Sequence, residues 1–266
     1  MDVREGGELA GSAFLAATFG LSGSTAVVTG ARRGIGRATA LAMADAGADV
    51  VLWGRTSRGL DDVAEQIRER GRVATVVVAD LTDPGEAGRT AAAIAAEHEV
   101  DLLVNNAAAN KRAPAAELEF AQWRDVLAVD LDAAFLLAQV FGREMLRRGA
   151  GRIVNIVSLL AYQGGNRVAA YAAAKSGLTG LTRAMASEWA ARGVTVNAVA
   201  PGYIDTRSTG PLRADPEREP LIRASIPAGR WGSEADVAAA IIYLCSQAAA
   251  YVNGHVLVVD GGCLIQ

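Results

Sequence analysis

The chain has 266 residues, 51% of them hydrophobic, and a formal net charge of −3. That length allows one large α/β domain with a well-filled core, and the near-neutral balance argues against a sequence-independent nucleic-acid binder, which needs a basic excess. There is no Cys/His cluster with metal spacing, no apolar run near the roughly 20 residues of a membrane helix, and only two cysteines, Cys245 and Cys263, which points to a reducing cytoplasm.

Residues 1–20 carry Asp2, Glu5 and Glu8 ahead of a short apolar patch, a poor secretory leader. They read as an N-terminal arm in front of one domain over residues 21–266. From there, short apolar runs alternate with amphipathic stretches. Thr25–Gly30 (TAVVTG) is the first strand and 35–46 an alanine-rich helix. DVVLWG is the second strand, 57–70 the next helix, and VATVVVAD the third strand. An alanine-rich helix follows, to about residue 96. DLLVNN, GRIVNIVS, VTVNAVAPG and HVLVVDGG complete seven strands, with helical stretches at about 119–148, 170–192 and 233–246 between them. The strands are continuously apolar rather than alternating, as expected of strands covered on both faces. Strand and helix alternating in this way predict a doubly wound parallel sheet with helices on both faces. Residues 201–230 hold five of the seven prolines and read as a lid-like loop.

TGARRGIG, Thr29–Gly36, follows a strand and opens a helix. Gly30, Gly34 and Gly36 would let the main chain approach a pyrophosphate, and the N–H groups at the helix start would face it. Arg32 and Arg33 lie inside the loop, and Arg55 follows the second strand at Gly54-Arg55. A fold that takes NAD usually carries an acid there, for the ribose hydroxyls. A guanidinium instead suits a 2′-phosphate, so NADP is expected, with NAD as the alternative.

Tyr171 and Lys175 (YAAAK) stand four apart in a predicted helix and therefore project together. An ammonium beside a phenol favours its ionised form, which makes the pair a proton shuttle. The alanines between them leave room for ligands. Ser158 ends the strand RIVNIVS, where ligands of open α/β sheets bind, and can orient a substrate oxygen. Lys111 and Arg112 follow the NNAA turn and could pair with a substrate carboxylate. Gln163 and Tyr203 could bind hydroxyls.

TGARRGIG, NNAA (Asn105–Ala108), Ser158, YAAAK and APGYIDT (Ala200–Thr206) together resemble the short-chain dehydrogenase/reductase family, over about residues 21–264. The resemblance implies a single Rossmann-type domain. It implies Tyr171 as acid/base, Lys175 as its electrostatic partner and ribose ligand, and Ser158 as the substrate-orienting residue. It implies a cofactor cleft of Gly30, Arg32, Arg33, Gly34, Ile35, Gly36 and Arg55, with Asp80 and Leu81 at the adenine. Asn106, Ala107 and Ala108 line the cleft, and Pro201, Gly202, Ile204 and Thr206 stand at the nicotinamide end. It also implies a homotetramer. Two positions depart from the family pattern: Ala108 replaces a glycine, and Asp130 replaces an asparagine whose main-chain carbonyl serves a proton relay.

Within the family, SLLAYQGG, PLRADPER, IPAGRWG and VNGHVLVVDGG are most similar to the sugar-acid dehydrogenases that act on gluconate or 2-deoxygluconate. This implies interconversion of a secondary hydroxyl and a ketone on a sugar acid. A 3-oxoacyl thioester reductase is the alternative, and Arg207, Arg213, Arg218 and Arg223 leave room for a basic docking surface. A catalytically silent NADP-binding sensor or scaffold would be expected to lose Tyr171 or Lys175, and this chain keeps both.

Overall fold

The computed structural model describes residues 13–265. Seven strands form one parallel sheet in the order β3-β2-β1-β4-β5-β6-β7. The strands are β1 (Thr25–Thr29), β2 (Asp49–Gly54), β3 (Ala74–Val78), β4 (Leu102–Asn105), β5 (Gly151–Ile156), β6 (Val194–Pro201) and β7 (Val256–Val259). Side chains alternate across each strand, so neighbours in sequence feed opposite layers. Val28, Val50, Leu52 and Val104 pack with helices α2 (Gly34–Asp45), α3 (Leu60–Glu69) and α11 (Glu234–Cys245). Val27, Val51, Leu103 and Ile153 pack on the other side with α4 (Pro84–Glu97), α6 (Ala133–Arg148) and α8 (Ala169–Trp189). The register pairs Val27 with both Val51 and Leu103, so each layer is continuous across the sheet.

Every residue of β6 is buried, which explains its unbroken apolar run. β3 and β7 are the edges, and most of their residues are only partly covered. The chain winds outward from β1 to β3, then returns through β4 to the other edge. The crevice at that switch point, beyond the carboxyl ends of β1 and β4, is where open α/β sheets bind ligands.

Three segments differ from the sequence-based expectation. The helix expected over 119–148 is broken: α5 (Phe120–Leu127) and α6 are joined by a π turn at Ala128–Asp132. Within that turn the Asp130 side chain is drawn into the interior, where Ala109 N–H and Lys175 meet it. Residues 201–230 contain two short helices, α9 (Gly210–Arg213) and α10 (Arg218–Ala224). They are fastened by an Arg213–Asp205 ion pair and by Trp231 Nε1 donating to Glu219 at 3.3 Å. Of the expected N-terminal arm, residues 13–19 form helix α1, with Phe14 and Leu15 exposed, and residues 1–12 lie outside the described residues. The helix α7 (Leu160–Gln163) is a single turn between β5 and α8. No helix among the described residues is long and apolar enough to cross a membrane.

Candidate active site

The glycine loop packs closely against the end of β4. Gly30 has φ +67°, a conformation that favours glycine, and an added Cβ would lie 3.0 Å from the Ala107 Cα. Gly36 has an ordinary φ but no room: a Cβ would lie 2.4 Å from both Asn106 Nδ2 and the Gly30 carbonyl oxygen. Thr29 and Asn106 lock this contact. Asn106 Nδ2 donates to the Thr29 carbonyl at 2.8 Å, and the amides of Asn106 and Ala107 both donate to Thr29 Oγ1 at 3.0 Å. The start of α2 has no side-chain cap, because Arg33 occupies the capping position without such a bond. Its first N–H groups therefore remain available to an anion.

One cleft of about 870 Å³ runs along the carboxyl ends of the strands. Gly30, Arg32, Arg33, Gly34, Ile35 and Gly36 line one end of it, together with Arg55, Asp80 and Leu81. Asn106, Ala107 and Ala108 line its middle, and Pro201, Gly202, Ile204 and Thr206 also line it. Ser158, Tyr171, Lys175 and Lys111 complete the sequence-predicted residues found there. Among the described residues, no ion pair engages Arg32, Arg33 or Arg55. Three guanidinium groups from two segments thus share one end of the cleft. An anionic cofactor fits there: the glycine cradle would be filled by a Cβ, and the uncapped helix end and the arginines offer positive charge.

Tyr171 and Lys175 sit on α8, as their spacing requires. Tyr171 is half-buried, and its ring packs against Val126, Ala170 and Ala174. Lys175 is buried; its Nζ lies 5.5 Å from the centre of the Tyr171 ring and donates to the Ile156 carbonyl at 2.9 Å. Ser158 lies two residues past the end of β5, and its Oγ accepts from the Leu160 amide at 3.2 Å. The serine, the phenol and the ammonium therefore meet on one wall of the cleft.

Four predicted residues lie elsewhere. Arg112, Gln163 and Tyr203 are not part of the cleft lining. Gln163 is exposed at the end of α7, and the Tyr203 ring packs edge-on against Trp231 at 5.5 Å. Asp130 is buried behind Lys175 rather than in the cleft, and its Oδ2 is 3.3 Å from Lys175 Nζ. Burial pushes the Asp130 carboxyl above its ordinary range, against the opposing pull of the Lys175 ammonium and the Ala109 N–H. Conversely, Thr56, Asn110, Asp125, Arg207 and Thr209 line the cleft without having been singled out as site residues. Thr56 directly follows Gly54-Arg55 and Asn110 stands two residues past the NNAA turn, and that proximity is the signal that could have found them. Asp125, in mid-helix, has no such signal.

Comparison with known proteins agrees with this fold. Residues 30–263 match the family described as enoyl-(acyl carrier protein) reductase. The chain is 45% identical over 251 residues to 2-dehydro-3-deoxy-D-gluconate 5-dehydrogenase of Bacillus subtilis, covering 94% of this chain and 98% of that protein. A Beutenbergia cavernae protein provisionally designated an NAD(P)-dependent gluconate 5-dehydrogenase, with NADP bound at low occupancy, superposes with a TM-score of 0.91. It is 55% identical and covers 94% of this chain and 100% of that chain. A gluconate 5-dehydrogenase of Burkholderia cenocepacia, in complex with NADP and tartrate, gives a TM-score of 0.90 at 35% identity, over 94% of this chain and 99% of that chain. The fold and the cleft are those of a nucleotide-binding α/β enzyme. The chain belongs to the short-chain dehydrogenase/reductase family.

Proposed function

We propose that the protein is an NADP-preferring oxidoreductase that interconverts a secondary hydroxyl and a ketone on a sugar acid of the gluconate type. The observation that carries this reading is the convergence of Ser158, Tyr171 and Lys175 on the cleft that the glycine loop and three arginines also line. The nicotinamide cofactor, when bound, would supply the hydride to the ketone as NADPH or take it from the alcohol as NADP+. The protein's own part is position and proton transfer. Gly30, Gly34 and Gly36 give close main-chain approach, the start of α2 receives the phosphates, and Arg33 and Arg55 receive the 2′-phosphate. Ser158 Oγ donates to the substrate oxygen and holds it beside the phenol. In reduction Tyr171 gives its proton to that oxygen, and in oxidation it removes the hydroxyl proton. The Lys175 ammonium, seated on the Ile156 carbonyl, stabilises the phenolate while the proton is away.

The sugar-acid part rests on the likeness to the Bacillus subtilis and Burkholderia cenocepacia enzymes and on Lys111 in the cleft wall. An ammonium there can pair with a substrate carboxylate. The acyl-thioester alternative is less well supported, because Arg213 and Arg223 are already paired with Asp205 and Glu219. Such pairing leaves less free basic surface for an acidic carrier protein.

The test follows NADPH absorbance with purified protein and 5-oxogluconate, beside an uncharged ketose of the same length. Oxidation with the acid alone is expected. Lys111→Ala should raise KM for the acid about tenfold, the loss of a charge-assisted bond of roughly 1.5 kcal/mol, and Arg112→Ala should leave KM unchanged. Equal rates with both ketones would sink the carboxylate argument.

A further inference from the structure

Among the described residues, every position with a positive φ is a glycine except one. The exception is Arg167, with φ +64°. A side chain is disfavoured in that conformation, because its Cβ crowds the neighbouring main chain. Where the fold needs only the backbone shape it uses glycine, as it does three residues earlier at Gly164, with φ +67°. Strain of this kind persists where the residue brings something that offsets it, and what arginine has and glycine lacks is the side chain. The fold gives that side chain no charge partner. Arg167 is exposed, and no ion pair among the described residues engages its guanidinium.

Its place in the fold suggests what the side chain serves. Arg167 stands between α7 and α8, four positions ahead of Tyr171 and beside the buried Val168. The turn is folded tightly on itself: an added Cβ at Gly165 would lie 2.6 Å from Val168 Cγ2 and 3.0 Å from Leu160 Cδ2. The Arg167 carbonyl accepts from the Ala113 amide at 3.1 Å. That bond ties the turn to the loop after β4, two residues from Lys111, a chain distance of at most about 7 Å. Lys111 lines the cleft with Ser158 and Tyr171, and Arg167 stands just outside that lining. Two cations on two tied loops thus flank one rim of the cleft, and a carboxylate between them accepts a charge-assisted bond from each. We infer that Arg167 is a specificity-determining residue, whose guanidinium joins the Lys111 ammonium in receiving the carboxylate of the substrate. This rests on the sugar-acid reading, and the test separates the two.

Arg167→Gly removes the side chain and keeps the backbone shape with less strain. Relief in the folded state is offset by a looser unfolded chain, so Tm should stay close to wild type. KM for 5-oxogluconate should rise about tenfold, the loss of one charge-assisted contact. kcat, NADPH affinity by fluorescence titration and KM for the uncharged ketose should hold. Arg167→Gln, which keeps most of the length and drops the charge, should raise the same KM. Arg167→Lys should recover part of it, because an ammonium retains the charge without the planar fork. Calorimetric titration of gluconate into the NADPH complex, where both partners are reduced and nothing turns over, should show the same tenfold loss in Kd for Arg167→Gly. A wild-type KM for the acid in Arg167→Gly and Arg167→Gln overturns the inference. So does an equal rise in KM for both ketones, which would mark a structural role in holding the Lys111 loop. If wild type itself does not distinguish the acid from the ketose, the sugar-acid reading falls and this inference falls with it. If wild type does distinguish them and the variants match it, the assignment of Arg167 falls alone.

Discussion

Gly36→Ala tests whether the cofactor cradle is set by close packing between the glycine loop and β4. Gly36 is a helical residue with no unusual φ, so alanine brings no backbone strain there. By helix propensity alone it should stabilise α2 by about 1 kcal/mol. The packing opposes this. The new methyl would lie 2.4 Å from Asn106 Nδ2, 2.4 Å from the Gly30 oxygen and 2.9 Å from the Gly30 carbonyl carbon. To reach even a tight contact, helix and loop must part by more than half an ångström (roughly 3.0 Å being the closest a Cβ tolerates). Neither neighbour yields easily. One is main chain, and the other is held to Thr29 by bonds of 2.8 and 3.0 Å. Overpacking costs about 1–3 kcal/mol and a weakened Asn106 bond about 1 kcal/mol. After the propensity gain the net loss is about 1–3 kcal/mol, or a fall in Tm of roughly 2–10 °C for a domain of this size. Thermal unfolding by circular dichroism reads the first effect, and NADPH fluorescence titration reads the loosened cradle. Gly34→Ala is the comparison. Its Cβ meets only Glu234 Oε1 at 3.8 Å, but its φ of +63° is unfavourable for alanine, a cost of about 1–2 kcal/mol. A Gly36→Ala protein with raised Tm and unchanged NADPH affinity would refute the packing argument and leave propensity in control.

Tyr171→Phe should lower kcat by about 10²–10⁴-fold, with Tm and NADPH affinity close to wild type; steady-state rates and the titration above check both, and turnover at the wild-type rate would remove the phenol from the mechanism. Arg33→Ala with Arg55→Ala should raise the KM for NADPH relative to that for NADH by about tenfold or more, the equivalent of one charge-assisted bond. Equal losses for the two cofactors would show that the arginines do not read the 2′-phosphate. At the start of α11, the Arg230 guanidinium first, then the Ser233 amide and hydroxyl, hold the Asp236 carboxyl well below the usual carboxylate range. The ionised form is therefore favoured in the fold, so its stabilising effect is present above the ordinary carboxyl range near about pH 4 and is lost as pH falls through the depressed value. Acid unfolding of Asp236→Asn should show a shallower loss of stability below that range than wild type, and an identical acid limb would count against the cap.

How much of the site was legible depended on distance from a strand end. Six strands end within two residues of a predicted cleft residue: Thr29 before Gly30, Gly54 before Arg55, Val78 before Asp80, Asn105 before Asn106, Ile156 before Ser158, and Pro201 before Gly202. A parallel sheet brings all its carboxyl ends to one edge, so finding the strands was enough to bring those residues together. The strands were visible because both faces of the sheet are covered, which leaves an apolar run with no alternation to confuse with a surface helix. Tyr171 and Lys175 were legible for another reason, since helical spacing alone puts them on one face. Further along the loops neither rule operates. Lys111 and Arg112 are adjacent, yet only Lys111 lines the cleft, and Tyr203 turns instead to Trp231. Loop side chains follow no period, and their direction is set by tertiary contacts. Asp130 is the clearest case. Its place in the family pattern singled it out, but nothing local announces its burial, because the counter-charge it meets lies 45 positions later in the chain, at Lys175. The π turn that carries it inward is likewise absent from the local pattern, since it is the contacts to Ala109 and Lys175, not propensity, that hold the carboxylate there.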